Sequence, residues 1–220
     1  MTKTKIRRST ASKFDKELFK KGYQEKVGIG ARKLLHKNSI ELVKILKENN
    51  VLKSGSKVFE LGSGPARNLH YILKECQDLD LYCSDLYSDA SHEHMSESIK
   101  SVVTFFEGDS KDIIDNNVLD SLDLFLVSDH LMHLQYDKAD HIIKKILSNW
   151  KPVFIMLREI KEEHETPKHP RLFHNYDQFL SDYNLIVDTT SKQAEGYFIW
   201  LLKRKKLDIK IDEIDSDNDT

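Results

Sequence analysis

The stretch "VFELGSGPARN" (Val58–Asn68) crowds two glycines and a proline behind an apolar run. Such a run, stopped at once by glycine, reads as a buried strand ending on a turn. The following "ARNLHYILKEC" (66–76) has helical spacing. The unit is therefore strand, turn and helix, and what sits on the turn decides the chemistry.

The same alternation continues on both sides of the quoted unit. Upstream, "FDKELFKKGYQEK" (14–26) and "NSIELVKILKEN" (38–49) read as helices. Asn38 with Glu41 resembles a capping box, and Ile40, Val43 and Leu46 form a stripe. Downstream, "DLYCS" (80–84), "VVTFF" (102–106), "LDLFLVS" (122–128) and "PVFIML" (152–157) read as strands. Helices are expected at 91–100 and 136–150, the latter with Ala139, Ile143, Ile146, Leu147 and Trp150 on one face. After a long polar loop with two prolines and a short helix, "LIVDTT" and "YFIWLLKRK" suit an antiparallel hairpin. The fold class is α/β: a doubly wound, mostly parallel seven-stranded sheet with helices on both faces and a C-terminal antiparallel hairpin.

Bulk properties narrow the function. A chain of 220 residues, 39% hydrophobic and 32% charged, suits one domain with a proper core. The domain is placed at 14–205 with a helical cap over 14–50, between a basic flexible arm (1–13) and an acidic disordered tail (206–220). A net charge of −2 gives no global reason to expect nucleic acid or an anionic membrane as partner. No stretch approaches the ~20 apolar residues of a membrane span, and the basic N-terminus lacks the apolar core of a signal peptide. Cys76 and Cys83 have neither metal-type nor framework spacing, so a reduced, cytoplasmic setting is expected. Oligomeric state is left open.

Three templates can be laid on the glycine turn. A Walker A loop needs a Gly-Lys pair, which is missing. A dinucleotide fingerprint needs a small residue where Arg67 stands. The third, E/D-x-G-x-G-x-G, is met by Glu60-Leu61-Gly62-Ser63-Gly64-Pro65-Ala66 in all but its last glycine. An acid before the turn suits a ligand carrying an ammonium and a sulfonium; beside a pyrophosphate it would be misplaced.

On these residues the chain resembles the class I methyltransferases dependent on S-adenosylmethionine (SAM). The resemblance extends over roughly residues 35–203. It implies SAM as cofactor, with S-adenosylhomocysteine (SAH) as product, on Glu60, Gly62, Ser63 and Gly64. Asp85, closing the second strand, would take the ribose hydroxyls with Leu86 beside it, since two acceptor oxygens suit a diol. Gly108, Asp109 and Ser110 in "FEGDS" would face the adenine, and Ser128 would open the motif after the fourth strand. Asp129 and His130 would then lie near the methyl-transfer site as candidate catalytic residues, and Glu159 would end the fifth strand. Each also has a plainer reading: Glu60 as a strand-end ion pair, Asp85 and Asp109 as helix N-caps, His133 as a packing histidine.

The acceptor is approached by exclusion. The chain lacks a [DN]-P-P-[YF] motif after the fourth strand and a nucleophilic cysteine there. Arg158-Glu159 stands where catechol-type enzymes place Asp-Asn, so no metal is expected. The spacing of His164, His169 and His174 and the pair His92/His94 are poor for zinc. A small-molecule acceptor methylated at oxygen or nitrogen is expected. Tyr23, His133, Arg158, Arg171, His174 and Tyr176 are the candidate substrate-binding residues. The alternatives are a protein side-chain methyltransferase and a non-catalytic methyltransferase-like subunit.

Overall fold

The run Ser56–Leu61 (β2) is apolar or buried at nearly every position, as a strand covered on both faces must be. In the computed structural model its residues alternate between two cores: Phe59 and Leu61 enter one, Val58 the other. The structure describes residues 4–5, 29–86, 95–116, 119–160, 176, 181, 183, 185–192 and 197–204.

In chain order the elements are β1 (Thr4–Lys5), α1 (Ile29–Glu48), β2, α2 (Arg67–Glu75), β3 (Leu79–Asp85), α3 (Glu97–Lys100) and β4 (Thr104–Glu107). Then come α4 (Ser110–Asp115), β5 (Leu124–Ser128), a 3₁₀ turn (Leu131–His133), α5 (Tyr136–Lys145), β6 (Phe154–Ile160), β7 (Leu185–Lys192) and β8 (Tyr197–Arg204). The sheet runs β1-β4-β3-β2-β5-β6-β8-β7. β1 through β6 pair in parallel, and β8 is antiparallel to both β6 and β7. The seven strands β2–β8 are the expected sheet, with the two-residue β1 added beside β4.

One face of the sheet packs on α4 and α5, where Trp150 meets Phe59 edge-on at 4.8 Å between ring centroids. The other face packs on α1, α2 and α3 through Leu42, Leu46, Leu69, Ile72 and Ile99. All five residues expected on the inner face of the 136–150 helix are buried. Its last turn, Ile146–Trp150, widens to π-helix.

The structure corrects three local expectations. Helix α1 begins at Ile29, so Asn38 lies in its interior and forms no capping box. Among its described side chains, Ser39, Leu42, Val43, Ile45 and Leu46 are buried, whereas Ile40 is 53% exposed. A helix that starts nine residues earlier has no orphan N–H groups at Asn38 to cap. Helix α4 was not expected; Asp109 caps it, accepting from the Lys111 N–H at 2.9 Å. The expected helix at 14–26, the loop after Ile160 and residues 91–94 lie outside the described residues.

The strand order reverses between β2 and β5, which leave the sheet centre toward opposite sides. Their carboxyl ends open the crevice where α/β folds take ligands. The glycine turn follows β2, and the Asp129-His130 turn follows β5.

Candidate functional site

The glycine turn is held by its neighbours. Gly62, Gly64 and Ala66 all adopt left-handed backbone conformations, with φ of 65°, 52° and 53°. Ala66 thus takes a backbone conformation that favours glycine, and it is fully buried. The Ser63 N–H donates to the Ser84 carbonyl at 2.9 Å, and the Gly64 N–H to Asp85 Oδ2 at 2.7 Å. The end of β3 therefore fixes the turn after β2.

Glu60 precedes the turn and is 2% exposed. Its Oε1 accepts from Asn68 Nδ2 at 2.6 Å, and Asn68 Oδ1 accepts from Ser39 Oγ at 2.7 Å. Its Oε2 is buried without a hydrogen-bond partner among the described residues. Burial pushes the Glu60 carboxyl up to about 8; Asp85 adds to the rise, while the Asn68 amide and the Leu69 N–H oppose it. A lone buried carboxylate oxygen is a poor end state and a good seat for a cation.

The facing turn is organised by two consecutive residues of β6. Register pairs Ser128 with Arg158, so Asp129 and His130 emerge beside the end of β6. The Asp129 N–H donates to the Arg158 carbonyl at 2.8 Å, and the Arg158 guanidinium donates to both Asp129 carboxylate oxygens. Arg158 is itself buried and lies 4.4 Å from the Tyr197 ring centroid. Asp129 adopts φ of 57°, a conformation Asp tolerates better than most residues.

Glu159, fully buried, accepts the backbone N–H groups of His130 (3.0 Å) and Leu131 (2.8 Å) on Oε1 and of Met132 (3.3 Å) on Oε2. It caps the 3₁₀ turn from across the sheet. Burial and then Asp129 push its carboxyl up to about 8, against the pull of the three N–H groups. Tyr176 is buried against it, and burial raises the phenol well above the usual tyrosine range.

The two turns meet at His130. Its Nε2 lies 2.7 Å from Ser110 Oγ, and its ring rests on the Gly62 backbone. Burial drives its pKa down to about 3, helped by His133 and Lys138 and opposed by Asp109, so the imidazole is neutral near pH 7. Asp109 Oδ2 accepts from Lys138 Nζ at 2.6 Å.

No protein-family model matches the sequence, and no curated protein matches it. Solved structures do match. An O-methyltransferase family protein from Burkholderia thailandensis superposes with a TM-score of 0.59 at 18% identity, over 84% of this chain and 63% of that one. Magnesium protoporphyrin IX methyltransferase (ChlM) from Synechocystis PCC 6803, solved with bound SAH, gives 0.63 at 16% identity, over 90% and 98%. The small RNA methyltransferase HEN1 gives 0.61 at 15% identity, over 78% of this chain and 25% of that one. This chain has the class I SAM-dependent methyltransferase fold. It spans less than two thirds of the Burkholderia and HEN1 chains.

Within that methyltransferase fold, the crevice between β2 and β5 gathers most of the residues singled out in the sequence. Glu60, Gly62, Ser63, Gly64, Asp85 and Leu86 lie at the ends of β2 and β3. Gly108, Asp109 and Ser110 follow β4, while Ser128 ends β5 and Asp129 and His130 follow it. Arg158 faces Asp129, Tyr176 lies behind Glu159, and His133 is exposed on the 3₁₀ turn. Tyr23, Arg171 and His174 lie outside the described residues. Asn68, Ser39 and Lys138 carry no local signature of a site role in the sequence, and Glu159 gains its task only through the pairing of β5 with β6. Among the described residues no cluster of three His, Cys, Asp or Glu suits a metal ion, and no helix is long and apolar enough to cross a membrane.

Proposed function

We propose that this chain is a SAM-dependent methyltransferase acting on an oxygen or nitrogen of a small-molecule acceptor, without a catalytic metal. The observation that carries the reading is the buried Glu60 carboxylate, one oxygen unpartnered among the described residues, set before a turn of left-handed residues pinned to Asp85. This arrangement fits SAM: an acid for its ammonium, a bare backbone for close approach, and a carboxylate at the next strand end for a diol.

When bound, SAM supplies a methyl group already activated by its sulfonium. The protein's task is then alignment and exclusion of water. Glu60, Gly62, Ser63 and Gly64 would hold the amino-acid end. Asp85 and Leu86 would hold the ribose, and Gly108, Asp109 and Ser110 the adenine. Ser128 would border the sulfur side. Lys138 and the helix-capping bond keep the Asp109 carboxylate turned in one direction.

Asp129 and His130 would face the acceptor, with Tyr23, His133, Arg158, Arg171, His174 and Tyr176 as its surroundings. A neutral His130 whose pKa is near 3 is a weak proton acceptor at pH 7, which favours it as a wall of the site. Asp129, its carboxylate clamped by the Arg158 guanidinium, would accept a hydrogen bond from the acceptor and align it. Arg158 in turn is committed to Asp129, so its part is to orient that carboxylate. Glu159 spends its oxygens on three backbone N–H groups, which supports chemistry without a metal on this strand end.

Calorimetric titration of SAM against the wild-type chain and Asp85→Ala tests the site. Transfer of a labelled methyl group into the small-molecule fraction of an extract supports the acceptor class, whereas label in protein or RNA overturns it.

A further inference from the structure

We infer that Asn68 and Ser39 are positioning residues for Glu60, and that through them helix α1 completes a buried subsite for a ligand's primary ammonium group. The inference rests on the methyltransferase reading and adds two residues and one helix to its site. Among the described residues, Glu60 Oε1 takes the Asn68 amide at 2.6 Å, the Leu69 N–H also favours the charged carboxylate, and Oε2 is buried with no hydrogen-bond partner.

An asparagine amide is two-faced, and turned over it would set its carbonyl oxygen against the carboxylate. Ser39 Oγ, 2.7 Å from Asn68 Oδ1, donates to that oxygen and locks the amide with its NH2 toward Glu60. Ser39 is buried on the inner face of α1, where its buried neighbours among the described side chains are Leu42, Val43, Ile45 and Leu46. A serine among these residues surrenders apolar contact, and the hydrogen bond to Asn68 is its return. The relay fixes which oxygen of Glu60 is used by the protein and which is left for a cation.

The matching ligand group carries several N–H donors and a positive charge, as the amino-acid end of SAM or SAH does. 5′-Methylthioadenosine has the same nucleoside and sulfur without that end, so the ratio of the two affinities reads the subsite alone. Calorimetry with SAH and with 5′-methylthioadenosine is run on wild type, Asn68→Leu, Ser39→Ala and Ser39→Thr, each checked for a native near-UV spectrum.

The expected result is a loss of about tenfold or more for SAH in Asn68→Leu, the scale of one charge-assisted hydrogen bond. 5′-Methylthioadenosine should change by less than about threefold. Ser39→Ala should shift the ratio the same way by a smaller factor, and Ser39→Thr, which keeps the hydroxyl, should restore it. Equal losses for both ligands, or none, in variants that remain folded would overturn the relay while leaving the methyltransferase reading in place. If the wild-type chain binds neither ligand, that reading falls and the relay with it.

Discussion

Gly62→Ala tests how tightly the two turns of the crevice are fitted. At φ of 65° an alanine pays for the left-handed conformation, about 1–2 kcal/mol. Its Cβ would also stand 2.2 Å from His130 Nδ1, 2.3 Å from Cγ and 2.8 Å from Cε1. No side chain accepts such distances, so the ring must leave and its bond to Ser110 Oγ must break, a further loss of about 1 kcal/mol. The substitution should therefore destabilise the fold by about 2–3 kcal/mol in urea unfolding followed by tryptophan fluorescence, with Trp150 in the core as reporter. In a His130→Ala background the ring is already gone, and only the backbone term of about 1–2 kcal/mol remains. The double-mutant cycle should thus give a coupling of about 1 kcal/mol. Equal costs of Gly62→Ala in the two backgrounds would refute the close seating of His130 on the turn.

Glu159→Ala leaves three N–H groups, two of them in fully buried bonds, without their acceptor. It should cost about 3 kcal/mol and speed amide exchange at His130, Leu131 and Met132, while Glu159→Gln, keeping one carbonyl oxygen, should do less. Unchanged exchange at those three amides would sink the idea that Glu159 holds the turn. Stability should also depend on pH. Glu60 and Glu159 both titrate near 8 in the folded chain, against 4.5 for an ordinary glutamate. The folded state therefore binds more protons between these values, and these two groups lower stability as pH rises from about 4.5 to 8. The groups facing them, Asp85 for Glu60 and Asp129 for Glu159, act in the same direction. Urea unfolding from pH 5 to 8 should show this decline, and Glu60→Gln should flatten it; a steeper decline in the variant would contradict the assignment.

The centre of the sheet was legible because β2 and β5 are short apolar runs, buried on both faces and set between stretches of helical spacing. The glycine turn was legible for a related reason: left-handed backbone and close approach call for small residues, and Ala66 at φ of 53° keeps that geometry without the glycine. The start of α1 was hidden by Asn38 and Glu41, which imitate a cap in the middle of a helix. Helix α4 is only six residues long and begins inside a motif, too short for periodicity to register. The supporting shell was invisible for a deeper reason. Asn68 meets Ser39 across 29 positions of chain, Lys138 meets Asp109 across 29, and Glu159 meets Leu131 across 28. Crossover connections bring these partners together, and no local pattern records them. Once β5 and β6 are paired in register, the clamp of Arg158 and Glu159 on residues 129–132 follows from the alignment of Ser128 with Arg158.

The central claim is that the crevice between β2 and β5 binds SAM through Glu60, the glycine turn and Asp85. Calorimetric titration of SAM into the wild-type chain, repeated with a folded Asp85→Ala variant, tests it most directly. The account predicts one site per chain in the wild type. In the variant it predicts an affinity loss of about ten- to a hundredfold, the scale of hydrogen bonds to a charged acceptor. No binding by the wild type, or the same affinity in both proteins, would contradict it.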